Sequence, residues 1–429
     1  MLLHASWIPW LLSQAQPLGL QLSLVGGAVR DQLLGHPAPL KDLDIVVEGS
    51  QPKPALLLAE AVSAASKQLP EDLRLLQLQL HESYGTARLL LAGPKGELLC
   101  DLSSARGENY AFPGAHPSIY DAPLAVDLRR RDFSLNAIAL PLGVGWRPNS
   151  LEGLLDPHGG IEHLRQGQLC LLHQRSLWDD PTRLVRGCRY AARLQLELAA
   201  SSAEQLAAVL AARPWPEAAP ALGARLRMEL ELLLEEQAWG EALELMQRWG
   251  GLELLQPGWR QLPKHWFMRL QRLGRWGLGL APDWSAAELR LVGLLALMPA
   301  LAAEQLALAQ QLQLSHRQQR LLEQLQGLSN WLGHIAAEGQ HWRPSQWSAA
   351  LEHPGGVGHP LAVLLLLSLG RYGPGQRRPL LRWLLRWRHQ IAPLSAGQLI
   401  AAGMQPGPAL GEALRSSRAA AIDAADFGG

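Results

Sequence analysis

Two aspartates, Asp42 and Asp44, and two adjacent glycines, Gly26 and Gly27, are the residues of this sequence best suited to metal and phosphate chemistry. Carboxylates at positions i and i+2 of a strand point to the same face and can share divalent metal ions. Adjacent glycines let the backbone approach a phosphate group closely, and the N–H groups that open a helix then face the anion. A phosphate site beside a paired-Asp metal site suits metal-assisted nucleotidyl transfer.

The elements that must position these residues form an α+β head followed by a helical remainder. Short strand-like runs mix with helices up to about residue 143, whereas strand signals vanish from about residue 160. The pattern predicts strands at 22–26, 43–47, 87–92, 97–101 and 136–141, and helices at 55–68, 181–196, 201–212, 221–237 and 239–249. The Pro- and Gly-containing segment 103–126 is predicted to be a long loop.

Asp101 ends one of the predicted strands and could lie across the sheet from Asp42 and Asp44. A third carboxylate there could help bind metal or deprotonate an attacking hydroxyl group. The alternative is an aspartate that caps the end of a strand, and the sequence leaves both interpretations open.

Three consecutive arginines at 129–131 and Asp132 precede the apolar stretch 133–140. A charge run is usually a solvated face, but this one adjoins a segment with the pattern of a buried element. Triphosphate oxygens suit the fork of a guanidinium group, and an aspartate can accept hydrogen bonds from ribose hydroxyls. The segment therefore predicts that at least one arginine is held at a phosphate site.

A predicted helix begins near Asp179, Asp180 and Pro181 and carries arginines three residues apart, at Arg183, Arg186 and Arg189. An aspartate can accept from the exocyclic amine of a base, and an arginine can donate to a ring nitrogen or carbonyl group. One Asp and one Arg could thus read a base edge without a nucleic-acid template. The alternative is a helix cap followed by an exposed arginine stripe.

In this order the segments resemble the signature of DNA-polymerase-β-like nucleotidyltransferases. More narrowly, they resemble the class II tRNA nucleotidyltransferase and bacterial poly(A) polymerase family over roughly residues 20–240. The similarity includes Arg-Arg-Asp-Phe-Ser-x-Asn-Ala at 130–137, where the family has Thr in place of Ser134, and Asp-Pro-x-Gly-Gly at 156–160. It also includes Asp-Asp-x-x-Arg at 179–183, where the family usually has Glu-Asp.

The resemblance implies a polymerase-β-like head at 1–143, a helical neck at 144–250 that reads the base, and a helical body and tail at 251–429 that bind RNA. It implies that Asp42 and Asp44 hold Mg²⁺ as catalytic residues. The nucleotide-binding residues that it implies are Gly26, Gly27, Arg30, Arg130, Arg131, Asp132, Asn136, Asp180, Arg183, Arg186 and Arg189.

The activity implied is transfer of nucleotides from CTP and ATP to the 3′ end of tRNA. Full CCA addition is the first expectation, and an enzyme that adds only the terminal A is the second. Addition of CC alone is less favoured, because such an enzyme should lack much of a flexible loop and 103–126 has full length. Poly(A) polymerase is less favoured than these tRNA activities. Its members tend to carry a basic tail, and this chain has no Lys after Lys264. A catalytically silent RNA-binding protein is the alternative from another class, and the intact Asp pair argues against it.

A second basic segment, 371–388, contains no acidic residue and predicts contacts with an RNA backbone. Its arginines include Arg377, Arg378, Arg382 and Arg386. The alternative is a solvated arginine face with Trp383 and Trp387 in the core. The net charge of the 429 residues is only +1, so local patches must carry any nucleic-acid binding.

The remaining bulk features predict a cytoplasmic protein. Three cysteines show no metal-binding spacing, and the N-terminus lacks the pattern of a signal peptide. The longest apolar runs, around 291–302 and 361–369, are too short to span a bilayer and read as buried helices. No feature indicates a membrane or a stable protein partner.

Overall fold

The computed structural model describes residues 3–35, 42–93, 96–143, 145–147, 150–215, 220–335, 339–352, 356–370, 372 and 374–426. The chain divides into two compact units, residues 1–222 and 223–429. The division into head, neck and body stays a prediction.

The first unit contains a mixed six-stranded sheet in the order β3-β4-β5-β2-β1-β8. Strands β2 and β5 run parallel, and the other neighbouring pairs in this sheet are antiparallel. The described strands are β1 (Gln21–Val25), β2 (Asp42–Glu48), β3 (Arg74–His81), β4 (Thr86–Gly93), β5 (Gly96–Ser104), β6 (Arg106–Asn109), β7 (Ser118–Asp121), β8 (Ala139–Leu142), β9 (Gln168–Leu169) and β10 (Glu197–Leu198). The mixed sheet predicted for the head is thereby confirmed.

Helices accompany the sheet and continue to the end of the first unit. They are α1 (Leu3–Ala15), α2 (Gly27–Leu33), α3 (Pro54–Ala64), α4 (Leu124–Arg129), α5 (Gly160–Arg165), α6 (Ser176–Asp179), α7 (Thr182–Leu194) and α8 (Ala200–Ala212). The strand-free remainder predicted beyond residue 160 has one exception, because the two-residue strands β9 and β10 pair in parallel.

The two faces of the sheet are covered unequally. Leu43 and Ile45 of β2 belong to a large core that includes residues of α1 and α3. On the opposite face Val46 packs in a smaller cluster with Leu124 and Leu128 of α4. Since side chains alternate along a strand, Asp42 and Asp44 share the face of Val46, and both are exposed.

The prediction of a long loop at 103–126 is wrong. Strand β5 continues to Ser104, β6 and β7 form an antiparallel hairpin, and α4 begins at Leu124. Gly107, which suggested a loop, pairs with Tyr120 across this hairpin. A Cβ at Gly107 would overlap the Tyr120 ring, so the glycine provides room for the aromatic side chain.

The second unit is helical in its described residues. Helix α9 (Pro220–Glu235) spans the boundary between the units, and the helices that follow it are α10 (Trp239–Arg248), α11 (Trp266–Leu280), α12 (Ala286–Leu297), α13 (Ala302–Gln311), α14 (His316–His334), α15 (Pro344–Glu352), α16 (Pro360–Leu369), α17 (Pro374–Leu385), α18 (Ala396–Ala401) and α19 (Pro408–Asp426). Helices α12 and α16 are buried along most of their length, as predicted from their apolar runs. No described helix is both long enough and apolar enough to cross a bilayer.

Candidate active site

The carboxylates of Asp44 and Asp101 face each other where β2 and β5 run side by side, and Asp42 lies on the same face of β2. Asp44 is the direct cross-strand partner of Asp101. Asp42, two residues earlier on β2, pairs with Leu99 of β5. Asp44 keeps solvent-exposed surface, yet protein atoms crowd around it, and this partial burial raises the pKa of its carboxyl group. The negative charges of Asp101 and Asp42 raise that pKa further, whereas Arg131 and Arg88 lower it. The predicted position of Asp101 beside the aspartate pair is confirmed.

Asp101 has a partner that the sequence analysis missed. Arg88 of β4 faces it across the antiparallel pair, and its Nε and Nη2 donate to the two carboxylate oxygens at 2.9 and 2.8 Å. Opposite charges at facing positions of neighbouring strands would have been the signal. Because the Arg88 side chain is half exposed, this ion pair orients Asp101 more than it stabilises the fold.

The donor set at Asp42 and Asp44 fits a hard divalent cation. The described residues contain no cluster of three or more metal-binding side chains. Two carboxylates are nevertheless a typical protein contribution to Mg²⁺, which usually keeps waters and substrate phosphates as its other ligands. A bound cation would offset the repulsion that Asp101 and Asp42 exert on the Asp44 carboxylate.

Gly26 brings the backbone directly against Asp44. It follows β1 and precedes α2 with φ 71° and ψ −136°, a conformation open to glycine. A Cβ at this position would lie 3.1 Å from Oδ2 of Asp44 and 3.8 Å from Nη1 of Arg131. The main chain, the Asp44 carboxylate and the Arg131 guanidinium group are therefore neighbours here.

Arg30 and Asn136 lie in a buried hydrogen-bond network beside the glycine pair. The Arg30 side chain is 3% exposed, and it donates to Oδ1 of Asp31 and to Oδ1 of Asn136, each at 2.8 Å. Its Nη2 remains next to Gly27, at 3.4 Å from where a Cβ would stand. A partner 106 residues away in sequence could not be inferred from local pattern.

Asp132 connects this network to α7. Its Oδ1 accepts from the Phe133 backbone N–H at 2.7 Å and from Nδ2 of Asn136 at 3.0 Å, and its Oδ2 accepts from Nη1 of Arg186 at 3.2 Å. Burial alone would raise the pKa of Asp132, but Arg186 and these hydrogen bonds outweigh it and lower the pKa. Asp132 is therefore an ionised, buried acceptor.

Arg130 and Arg131 converge on Asp127, a fully buried residue that the sequence analysis did not single out. Arg130 Nη2 lies 2.6 Å from Oδ1 of Asp127, and Arg131 Nη2 lies 2.9 Å from Oδ2. Arg130 also donates to Oε1 of Glu108 at 2.8 Å. Of the two arginines, Arg131 is the one beside Gly26.

The start of α7 holds Asp180 and Arg183. Asp180 Oδ1 accepts from the N–H and the hydroxyl of Thr182 at 3.1 and 2.8 Å, so this carboxylate caps the helix. The Arg183 side chain is buried, and its Nη2 donates to the Arg130 carbonyl oxygen at 2.8 Å. An exposed arginine stripe is thus excluded for Arg183.

The next arginines of α7 also have defined surroundings. Arg186 bonds to Asp132, while Arg189 and Arg193 each lie 5.4 Å from the ring centroid of Tyr190. Arg30 approaches the same ring at 5.4 Å. Tyr190, which the sequence analysis missed, therefore packs among three cationic side chains.

The predicted RNA-binding arginines belong to the second unit. Arg377, Arg378, Arg382 and Arg386 are all exposed on or directly after α17. Trp383 and Trp387 are buried, so this tryptophan pair forms part of the core. Arg371, at the start of the predicted segment, lies outside the described residues.

Comparison with known proteins extends the motif resemblance to the rest of the chain. Residues 22–170 match the model of the Poly A polymerase head domain. The CC-adding tRNA nucleotidyltransferase of Deinococcus radiodurans is 35% identical over 409 residues, which cover 95% of this chain and 86% of that protein. The A-adding tRNA nucleotidyltransferase of Halalkalibacterium halodurans is 30% identical, with 96% and 87% covered.

A solved structure of a CCA-adding enzyme in an apo form shares the fold. It superposes with a TM-score of 0.72 at 24% identity and covers 98% of this chain and 92% of that one. Sequence similarity to the curated relatives spans both units, so it includes the helical part where motifs were weak. The resemblance inferred from the motifs is confirmed, and the chain belongs to the tRNA nucleotidyltransferase family.

Proposed function

We propose that this enzyme completes the CCA end of tRNA by transferring CMP and AMP from CTP and ATP. One observation carries the proposal, namely a set of contacts that leads from Arg183, proposed to read the base, to Arg131 in the neighbourhood of Asp44. Arg183 donates to the Arg130 carbonyl, Arg130 and Arg131 share Asp127, and Arg131 lies next to Gly26 and Asp44.

In this proposal the protein replaces a nucleic-acid template. Asp180 accepts from the exocyclic amine that C and A share, and Arg183 donates to the ring edge of the base. The Arg130 carbonyl fixes the direction of the Arg183 guanidinium group, because a charged donor held by a buried acceptor loses orientational freedom. Arg186 and Arg189 support the nucleotide from the same helix.

Phosphate binding and catalysis fall to the residues around β2. Gly26 and Gly27 let the triphosphate approach the backbone, and Arg131 supplies positive charge beside it. Asp42 and Asp44 would hold Mg²⁺, which when bound lowers the pKa of the attacking hydroxyl and offsets phosphate charge. The tRNA 3′-oxygen forms a bond to the α-phosphorus as the bond to the pyrophosphate oxygen breaks.

Asp101 is proposed to orient the aspartate pair. Both of its oxygens already accept hydrogen bonds from Arg88, and taking the proton of the hydroxyl would neutralise the charge that holds this ion pair. This arrangement supports a role in holding the metal site over a role as general base.

Addition of CC alone is the second candidate, and a specific observation favours it. The relative with 35% identity over 95% of the chain is a CC-adding enzyme. The argument against this activity relied on a flexible loop at 103–126, and that segment is largely a hairpin and the start of a helix. Multifunctional CCA relatives match about three fifths of the chain, for example 62% for one from Neisseria meningitidis.

The relatives also support the substrates. One solved relative is described as a CCA-adding enzyme with ATP, and another as a Thermotoga maritima CCA-adding enzyme complexed with tRNA. The exposed arginines of α17 are proposed to contact the tRNA backbone. A cytoplasmic location and the lack of a stable protein partner stay predictions.

The test incubates the purified protein and Mg²⁺ with three tRNA transcripts, which end in the discriminator base, in C or in CC. Each transcript receives CTP, ATP or both. Completion of all three to CCA supports the first proposal, whereas two C residues without A support the second. Incorporation into the CC transcript alone indicates an A-adding enzyme, and a long A tail indicates a poly(A) polymerase. No incorporation in any reaction overturns the proposed function, provided that circular dichroism shows a folded protein.

A further inference from the structure

The hairpin β6–β7 reaches the base-reading residues through Glu108. The Glu108 side chain is 8% exposed, and its Oε1 accepts from Nη1 of Arg130 at 2.8 Å. The other oxygen, Oε2, accepts from the Tyr110 hydroxyl at 2.9 Å. Glu108 thus holds the residue whose carbonyl orients Arg183, and it holds Tyr110 at the same time.

Tyr110 lies within electrostatic range of Arg183 and Asp180. Burial raises the pKa of its phenol, Glu108 and Asp180 raise it further, and Arg183 lowers it. Tyr110 is therefore a neutral hydroxyl donor at neutral pH, and it is fixed to Glu108 within electrostatic range of the two residues proposed to read the base.

The connection between the two strands makes a third contact with the same region. The N–H of Gly114 donates to the carbonyl oxygen of Asp179 at 3.1 Å. Trp215 packs beside Gly114, and its Nε1 donates to the carbonyls of Leu177 and Trp178. The hairpin segment 106–121 is therefore joined to the end of α6 by a main-chain hydrogen bond, next to the start of α7.

We propose that Glu108 and Tyr110 are positioning residues that set nucleotide choice, acting through Arg183 and Asp180. This inference rests on the proposed function, because it assumes that those two residues read the base. Glu108 bonds the guanidinium group of Arg130, the residue whose carbonyl oxygen accepts from Arg183. Tyr110 bonds the other oxygen of Glu108 and so holds that carboxylate in place. Base discrimination depends on such directions, since a misplaced donor bonds a wrong base edge as well as a right one.

The hairpin itself supplies a matched pair of variants. Tyr110→Phe removes only the hydroxyl that bonds Glu108. Tyr120→Phe removes a hydroxyl from a 47% exposed ring on β7, for which the described structure has no hydrogen bond. The measurement is the ratio of kcat/KM for CTP to that for UTP on the transcript that ends in the discriminator base.

Tyr110→Phe is expected to lower this ratio about tenfold, the size of one lost hydrogen bond, while Tyr120→Phe leaves it unchanged. Glu108→Gln should lower it as well, since the amide keeps one acceptor but loses the charge that holds Arg130. If the enzyme adds only A, the measurement is the ratio of kcat/KM for ATP to that for GTP on the transcript that ends in CC.

Two failures are distinguishable. Wild-type protein that incorporates neither CTP nor ATP overturns the proposed function. Wild-type activity together with an unchanged ratio in both Tyr110→Phe and Glu108→Gln overturns the positioning role alone. An equal fall in kcat for all nucleotides with a lower melting temperature also overturns it, because that result indicates a purely structural contribution.

Discussion

Asp127 is the residue on which the arginine pair depends. It is fully buried and makes ion pairs with Arg130 and Arg131, which are themselves mostly buried. Asp127→Asn keeps the shape but removes this counter-ion from Arg131 and leaves Arg130 paired with Glu108 alone. We expect the free energy of unfolding to fall by about 3 kcal/mol, since breaking a buried pair exposes an uncompensated charge. Urea unfolding at pH 7 measures the change, and a loss below about 1 kcal/mol would contradict this account.

The same carboxylate predicts how stability depends on pH. Burial raises the pKa of Asp127, but Arg131 and Arg130 outweigh burial and hold it below its ordinary value. The unfolded chain, with an aspartate pKa of about 3.9, then binds the proton more readily than the folded chain. This stabilisation is present above about pH 4 and is lost as the pH falls through the lower folded pKa.

The measurement compares urea unfolding of wild-type protein and Asp127→Asn between pH 3 and pH 6. The wild type should lose stability more steeply on acidification than the variant. Parallel curves for the two proteins would show that Asp127 is not the group responsible.

Activity and stability should separate at Asp44. Burial and the charges of Asp101 and Asp42 disfavour its ionised form, so Asp44→Asn removes repulsion from the metal-free protein. We expect nucleotide incorporation to fall at least a hundredfold while the melting temperature stays the same or rises. A melting temperature that drops by several degrees would indicate that Asp44 is needed for folding. The control variant is Glu60→Gln, which replaces an exposed carboxylate on α3.

Sequence could predict which residues gather at the site but not how they are bonded. The i, i+2 spacing placed Asp42 and Asp44 on one face, and the strand pattern placed Asp101 opposite Asp44. The buried position of Arg30 depends on Asn136, and local pattern contains no information about that contact. Arg88 lay within reach of prediction, because it faces Asp101 across the two strands predicted at 87–92 and 97–101.

At the scale of elements, α7 depends on a glycine at its centre. A Cβ at Gly187 would lie 2.9 Å from Cζ of Phe133, a buried ring, and 3.4 Å from Cδ2 of Leu169. Gly187→Ala should therefore destabilise the protein by about 1–3 kcal/mol through overpacking, although alanine favours helices. It should also reduce incorporation, because the helix that carries Arg183 and Arg186 must shift.

Gly327→Ala is the matched control. Gly327 also lies inside a helix, α14, and a Cβ there would meet nothing within 4 Å. Its replacement should stabilise the protein by up to about 1 kcal/mol. Equal effects of the two substitutions in chemical denaturation would rule out close packing of α7 against Phe133.

The prediction of secondary structure failed for strands that lack a clear alternation of buried and exposed side chains. Strand β3 was missed because it is exposed along most of both faces, so no apolar side had to be encoded. The hairpin β6–β7 was missed because four-residue strands with a glycine resemble a loop. Long helices such as α7 and α8 were predicted to within two residues at each end, because their apolar spacing extends over several turns.

At the scale of the whole molecule, RNA affinity should be electrostatic and local. The net charge is +1, so RNA binding depends on local patches, and the exposed arginines of α17 are the patch predicted for the second unit. Arg377→Gln with Arg378→Gln should weaken tRNA binding and reduce the slope of log Kd against log salt by about 1 to 2. Filter binding at NaCl concentrations on the order of 50 to 300 mM measures the slope.

The matched control for that double variant is Arg165→Gln. Arg165 has a 75% exposed side chain in the first unit and lies outside the predicted RNA-binding segment. If Arg165→Gln lowers the slope as much as the double variant does, tRNA binding does not depend on α17.

Asp127 has a consequence for the energetics of binding. It holds Arg130, whose carbonyl orients Arg183, and also Arg131, which lies beside Gly26. A ligand that orders one arginine therefore biases the other, and such coupling is reciprocal. Cytidine and inorganic tripolyphosphate, the two halves of CTP, should each tighten the binding of the other by the same factor. The enzyme would then bind the base and the triphosphate cooperatively, and a correct base would increase its affinity for the triphosphate that reacts.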